Sequence, residues 1–293
     1  MTASATAPSP LVIRRATAAD VESCAQICYD AFTAINAQHN FPPDFPAPDV
    51  ARHVMTMMFT HPGFYCLVAE QNGKVVGSNC LDERTPIAGV GPITVDPTAQ
   101  NAGAGRQLML AVMDRAAEKN FAGVRLVQAA FHSRSMSLYA KLGFDIREPL
   151  VVMQGSAVGK VPGGYSVHAA TRHDLESCNE LCQRVHGHHR SRELSDAIQE
   201  GTARVVEHNG RVTAYATIVG FFGHAVAESN HGLQALIGAA SEFAGPGFLL
   251  PTRNTELFRW CLSNGLRVVE PMTLMSVGLY NEPAGAFLPS ISF

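Results

Sequence analysis

Residues 93–106 combine residue types that could bind a phosphate or pyrophosphate group. The segment reads Ile-Thr-Val-Asp-Pro-Thr-Ala-Gln-Asn-Ala-Gly-Ala-Gly-Arg and precedes a predicted amphipathic helix that runs to about Lys119. A helix that begins here directs several free backbone N–H groups, and the positive end of its dipole, at one place. Such a place favours an anion, most often a phosphate. Gly103 and Gly105 allow a ligand to approach the backbone closely, because they carry no side chain.

Two well-known phosphate loops do not fit this segment. A Walker A loop ends in Gly-Lys-Ser/Thr, whereas Gly105 is followed by Arg106-Gln107. A dinucleotide fingerprint needs a third Gly or Ala, and Leu108 occupies that position. The remaining pattern, Gln-x-x-Gly-x-Gly from Gln100, resembles the acyl-CoA pyrophosphate loop of the GNAT N-acetyltransferase superfamily. The resemblance implies that acetyl-CoA is the co-substrate and that its pyrophosphate is bound by Gln100, Asn101, Ala102, Gly103, Ala104, Gly105 and Arg106.

A second marker of the same family follows the loop. Residues 138–144 read Leu-Tyr-Ala-Lys-Leu-Gly-Phe, which places Tyr139 on a short helix before Gly-Phe. The resemblance implies that Tyr139 is the general acid that protonates the CoA thiolate. It further implies that the backbone of Ile93, Thr94 and Val95 binds the pantetheine arm and the oxyanion, and that Ser133 and Ser135 contact the CoA arm. Either serine could instead cap the next helix.

The general base is predicted from position alone. Asp82 and Glu83 lie between a predicted hairpin and the pyrophosphate strand, where members of the family often carry a glutamate, and Glu83 is the residue we select. The alternative is that both are solvated loop carboxylates. His132 could face the cleft or simply end its strand.

The acceptor site is predicted in the loop region after the first helix. Tyr29, Phe32 and Phe41 lie where enzymes of this family bind the acceptor, which we expect to be a small-molecule primary amine.

The order of predicted elements supports two tandem copies of one fold. Residues 14–24 align with residues 168–178, the Asn72-Gly73-Lys74 turn aligns with Asn209-Gly210-Arg211, and residues 142–144 align with residues 264–266. We therefore predict an α/β (α+β) protein with two GNAT-like domains, each a mixed, mostly antiparallel sheet flanked by helices. The predicted divisions are a disordered tail at 1–10, a catalytic domain at 11–155, a linker at 156–164 and a second domain at 165–293.

The second copy lacks both markers. Residues 227–232 read Ala-Glu-Ser-Asn-His-Gly where the phosphate loop is expected, and Glu228 would repel a pyrophosphate. Cys261 occupies the position of Tyr139. The second copy is therefore predicted to be degenerate and to help form the substrate cleft or an oligomer contact, such as a homodimer.

Composition excludes several other classes of protein. A net charge of −3 gives no basic footprint for nucleic acid or for an anionic membrane. The seven cysteines form no Cys-x-x-Cys pair, and His186-Gly187-His188-His189 lacks further ligands at metal spacing, so we predict a polar loop and no metal. A cytoplasmic location is the expectation. Two alternatives to an acetyltransferase remain open at this stage, namely a non-catalytic acyl-CoA sensor and a transferase of a longer acyl chain.

Overall fold

The computed structural model describes residues 10–100 and 103–292, and two sets of elements follow one another along the chain. The elements of the first half are β1 (Val12–Arg15), α1 (Val21–Gln38), α2 (Pro48–Thr60), β2 (Phe64–Gln71), β3 (Lys74–Asp82), β4 (Ile87–Val90), β5 (Thr94–Val95), α3 (Ala104–Glu118), β6 (Gly123–Ala129), α4 (Ser133–Lys141) and β7 (Asp145–Gln154). Those of the second half are β8 (Tyr165–Ala169), α5 (Leu175–His186), α6 (Ser191–Gln199), β9 (Arg204–His208), β10 (Arg211–Ala216), β11 (Ala225–Ala227), α7 (Asn230–Ala239), β12 (Phe248–Pro251), α8 (Thr255–Ser263), β13 (Arg267–Gly278) and β14 (Ala286–Leu288).

The second half repeats the element order of the first. Elements β8 through β13 follow the order of β1 through β7, except that β5 has no counterpart. The repeat extends to local hydrogen bonds. The Thr17 N–H and hydroxyl both donate to Asp20 Oδ2, at 2.8 and 2.9 Å, and those of Thr171 donate to Asp174 Oδ2 at 2.7 and 2.9 Å. The same capping box therefore precedes the first long helix of each half.

The two halves share one sheet. Its strand order is β1-β2-β3-β4-β6-β13-β7-β12, with β5 paired to β3, and a second sheet has the order β14-β11-β10-β9-β8. Strand β13, from the second half, lies between β6 and β7 of the first and is antiparallel to both. Met272, for example, lies opposite Ala129 on one side and Leu150 on the other. The predicted linker at 156–164 thus separates two stretches of chain, but it does not separate two sheets.

Helices cover both faces of the first half of the shared sheet. Apolar residues of α3 pack on one face together with Tyr139 and Phe144, and those of α1 and α2 pack on the other face. Among the helices of residues 10–100 and 103–292, none is both long and apolar enough to cross a membrane.

Two element boundaries matter for the site. Strands β4 and β5 are separated at Gly91-Pro92, because proline has no N–H to donate to a sheet. Helix α4 begins at Ser133.

Candidate active site

A cleft lies in the sheet between β5 and β6. Strand β4 is parallel to β6 only from the Ile87–Gly123 pair to the Gly89–Arg125 pair. Beyond that point the chain follows β3, since the Gly91 N–H donates to the Cys80 carbonyl at 2.9 Å and Val95 lies opposite Gly77. Strand β6 instead continues beside β13. Within the described residues no strand fills the gap, so the facing backbone groups of residues 91–95 are available to an extended ligand.

The glycine loop leads from this cleft into α3. Gly103 is the N-cap residue of α3 with φ +83°, a left-handed conformation that favours glycine, and a Cβ added to it would have no neighbour within 4 Å. A Cβ at Gly105 would lie 3.6 Å from Val95 Cγ2 and 3.9 Å from Leu138 Cδ2. The start of α3 therefore faces the space between β5 and α4. Asn101 and Ala102, also predicted to bind pyrophosphate, lie outside the described residues.

Two exposed arginines accompany the glycine loop. Arg106 lies on the first turn of α3 and is exposed. Arg134, on the first turn of α4, donates from Nη1 to Gln100 Oε1 at 2.9 Å. Arg134 was not predicted from the sequence, although its position directly after Ser133 was a usable signal. Both cations lie near a helix start that already favours an anion.

Tyr139 ends a hydrogen-bonded chain of three side chains on α4. Its hydroxyl hydrogen-bonds with Ser135, whose Oγ lies 2.9 Å from His132 Nδ1. Tyr139 is only 5% exposed, and burial raises the pKa of its phenol to about 12. Burial, together with Arg134 and His39, lowers the pKa of His132. At neutral pH these three side-chain groups are therefore a neutral phenol, a hydroxyl and a neutral imidazole, and a proton can pass from one to the next.

The remaining residues predicted to contact CoA have different environments. The Thr94 side chain is buried, and its hydroxyl lies 3.3 Å from Ser78 Oγ, so only its backbone can face the cleft. Ile93 and Val95 pack against the same apolar cluster as Tyr139. Ser133 is exposed at the start of α4.

The structure does not bring Glu83 to the cleft. Glu83 accepts hydrogen bonds from Arg115 Nε and Nη2 at 2.6 and 3.1 Å. Arg115 lies near the end of α3, roughly 16 Å along the helix axis from Ala104. Asp82 is likewise bound by Arg84, at 2.7 Å. Both carboxylates are thus neutralised away from the glycine loop, and the prediction of Glu83 as the base has no geometric support.

Of the three residues predicted to contact the acceptor, Phe41 lies beside the cleft. Its ring stacks on that of Phe131, which follows β6, with the centroids 4.2 Å apart. Tyr29 and Phe32 pack against the α1–α2 cluster, and the Phe32 ring lies 5.7 Å from Phe45. These two residues therefore support the loop that carries Phe41.

The region of the second half that corresponds to the cleft differs from it in strand pairing and in side chains. Strand β14 pairs with β11, where in the first half β6 pairs with β4. Glu228, before α7, accepts hydrogen bonds from Arg211 and Arg184 at 2.6 and 3.1 Å. Cys261, at the position of Tyr139, is fully buried in the core. A cavity of about 400 Å³ remains near Ser229, but it has no glycine loop.

The histidine cluster is not the polar loop that we predicted. His186 and His188 are both buried, and burial together with Arg190 lowers the pKa of each, to about 4 for His188. Across residues 10–100 and 103–292, no three His, Cys, Asp or Glu side chains are grouped so that they could hold a metal ion.

Comparison with protein families identifies part of the first half of the chain. Residues 29–144 match the model of the acetyltransferase (GNAT) family. This part of the chain is a GNAT acetyltransferase domain. The match spans both markers, the glycine loop and Tyr139, and ends at Phe144.

Solved structures share the fold over nearly the whole chain. A candidate acetyltransferase from Pyrococcus horikoshii is 19% identical, with a TM-score of 0.73 and 94% of each chain covered. A GCN5-related N-acetyltransferase from Sphaerobacter thermophilus is 14% identical, with a TM-score of 0.60 and 97% and 99% covered. A tandem GNAT protein from the clavulanic acid biosynthesis pathway is 16% identical, with a TM-score of 0.55 and 96% and 100% covered. The tandem GNAT arrangement is thus a known fold.

A curated relative matches over a short stretch. Mycothiol acetyltransferase from Nocardia farcinica is 38% identical over 63 residues, which is 22% of this chain and 21% of the relative. The match thus covers about a fifth of that protein's length.

Proposed function

We propose that this protein is an N-acetyltransferase that transfers the acetyl group of acetyl-CoA to a primary amine of a small-molecule acceptor. The observation that carries the proposal is the cleft between β5 and β6, with the Gly103 loop at one end and the buried Tyr139 beside it. A GNAT domain covers all of these residues. The name of the curated relative, an acetyltransferase, agrees with this activity.

The residues of the cleft suit the steps of direct acetyl transfer in a ternary complex. The N–H groups at the start of α3 bind the pyrophosphate, with Arg106 and Arg134 adding positive charge. The open backbone edge of residues 93–95 pairs with the pantetheine arm, and one of its N–H groups stabilises the thioester oxyanion. Tyr139 donates a proton to the departing thiolate. Residues 11–155 carry these groups, and the second half has lost them.

The decisive experiment is a free-thiol release assay with acetyl-CoA and a panel of small primary amines. We expect thiol release that depends on the amine and a KM for acetyl-CoA between about 1 μM and 1 mM. Thiol release with a longer acyl-CoA, and none with acetyl-CoA, would favour transfer of another acyl group. Tight acetyl-CoA binding without release for any amine would favour a non-catalytic sensor and would contradict the proposed function.

A further inference from the structure

Two carboxyl groups, one from each half of the chain, meet beside the cleft. Glu270 lies on β13 and is only 2% exposed. Asp44 lies in the loop between α1 and α2 and is half-buried. The two carboxyls lie close enough for each to shift the pKa of the other. Neither residue was predicted from the sequence, because they are far apart in the chain.

Sheet register places this pair at the end of β6 where the cleft lies. The pairing of β13 with β6 reaches Met272 opposite Ala129, and the Ala130 N–H then donates to the Pro271 carbonyl at 3.0 Å. Glu270 is the next residue of β13, so its backbone lies level with Phe131. Just beyond Phe131, His132 begins the hydrogen-bonded chain to Tyr139.

The Asp44 loop is held in a fixed position against this end of the sheet. The buried Asn36 side chain donates to the Pro42 carbonyl at 3.0 Å and lies close enough to Asp44 to oppose the rise in its pKa. The stacked rings of Phe41 and Phe131 also hold this loop against the end of the sheet. On the same face of α1, one turn before Asn36, the Thr33 hydroxyl oxygen is buried without a hydrogen-bond partner among the described residues. Thr33 is thus an additional polar group that a ligand or a water molecule must satisfy.

The charge of the pair is not balanced by a protein cation. Within residues 10–100 and 103–292, no Arg, Lys or His forms a salt bridge with Asp44 or Glu270. Burial raises the pKa of Asp44 to about 6, and burial together with Asp44 raises the pKa of Glu270 to about 8. Near neutral pH the two carboxyls therefore share about one proton and carry about one negative charge. A desolvated carboxylate of this kind attracts a cation and accepts its proton more readily than an exposed one.

We propose that Asp44 and Glu270 bind the ammonium group of the acceptor and accept its proton before acetyl transfer. This inference rests on the proposed function. It explains why the second half remains joined to a domain that holds the rest of the chemistry, since β13 supplies Glu270.

The proton and electron balance of the step is complete. The acceptor R–NH₃⁺ gives one proton to the ionised carboxyl of the pair and becomes a neutral amine. Its nitrogen attacks the thioester carbon, so a C–N bond forms and the C–S bond breaks with its electron pair moving to sulfur. The nitrogen then loses its second proton as the amide forms, while the thiolate gains one from Tyr139, which is reprotonated. The sum is one amide, one free thiol and one proton released to solvent.

Kinetics of Glu270→Gln and Asp44→Asn test the proposal, with Glu242→Gln, an exposed glutamate of the second half, as the matched control. We expect the thiol-release kcat/KM for the best amine of the panel to fall at least 100-fold for Glu270→Gln, with the Kd for acetyl-CoA unchanged. Glu270→Asp should recover part of the rate, and wild-type kcat/KM should rise with pH up to about 8. If wild type is active and Glu270→Gln remains within threefold of it, the role of the pair is contradicted but the proposed function is not. Wild type that binds acetyl-CoA but releases no thiol with any amine would contradict both.

A measurement without substrate tests the shared proton. Because both folded-state pKa values lie above those of the unfolded chain, the folded protein holds protons that the unfolded chain has released, and the pair costs stability as pH rises from about 5 to 8. Glu270→Gln removes the part of this cost that Glu270 contributes. Its Tm relative to wild type should therefore increase over that range, whereas the difference between Glu242→Gln and wild type should stay flat. A Tm difference for Glu270→Gln that does not change with pH would overturn the proposal.

Discussion

Arg84 donates a 3.0 Å hydrogen bond from Nη1 to Asp196 Oδ2 and thereby joins the end of β3 to α6 of the second half. The same guanidinium binds Asp82 at 2.7 Å and lies 4.7 Å from the centre of the Phe64 ring. Its side chain is only 13% exposed. On the arginine side this ion pair between the halves is therefore largely shielded from solvent, whereas the Asp196 side chain is 31% exposed.

Removing Arg84 should destabilise the whole protein. Arg84→Ala leaves Asp82 and Asp196 without their shared partner, and we expect the free energy of unfolding to fall by about 3 kcal/mol in urea denaturation. Arg52→Ala is the matched control, because Arg52 pairs with Glu22 and Asp49 on the surface, and its loss of stability should be much smaller than that of Arg84→Ala. Equal losses for the two variants would show that Arg84 does not stabilise the contact between the halves.

The inserted strand should make the first half dependent on the second. Without β13, strands β6 and β7 would each lose the neighbour that now pairs with them from Gly123 to Ala129 and from Asp145 to Gln154. We expect residues 1–164 expressed alone to be unfolded or aggregated, since two unpaired edges and their apolar faces would be exposed. Co-expression with residues 165–293 should restore a soluble complex, as judged by gel filtration and circular dichroism. Cooperative unfolding of residues 1–164 on their own would contradict this prediction.

Tyr139→Phe should slow the chemical step without weakening acetyl-CoA binding. Loss of the phenol proton removes the proposed general acid, and we expect kcat to fall about 100-fold, at the low end for general acid–base catalysis. Because burial raises the pKa of Tyr139 to about 12, the phenol stays protonated well above neutral pH, and its ionisation should not reduce the wild-type rate up to about pH 10. Stopped-flow thiol release and equilibrium binding measure the two quantities. An unchanged kcat at every pH would exclude the acid role.

The parts of the site that depend on contiguous residues were predictable from sequence. The glycine loop and Tyr139 are each defined by a short local pattern, and the structure places both beside the cleft. The insertion of β13 was not predictable in this way, because the apolar pattern of residues 267–278 indicates a strand but not its neighbours. Glu83 was chosen from its position in the chain, and its direction toward Arg115 depends on contacts that no local pattern encodes.

Glu270 did leave a signal in the sequence. It is a lone acidic residue in a largely apolar stretch, Val268-Val269-Glu270-Pro271-Met272, and such a residue in a buried strand usually has a specific role. Its partner Asp44 lies in a proline-rich loop with no periodic pattern. Only the folded chain shows that the two meet.

Calorimetric titration with acetyl-CoA tests whether the chain has one cofactor site, at the glycine loop of the first half. We expect one site per chain for wild type, and we expect Gly103→Glu to weaken binding by at least 100-fold in Kd. Gly201→Glu is the matched control, because Gly201 is also exposed at a helix end, has φ +76° and would place a Cβ in open space. This variant should bind acetyl-CoA as wild type does. Two sites per chain, or unimpaired binding by Gly103→Glu, would contradict a single cofactor site at this loop.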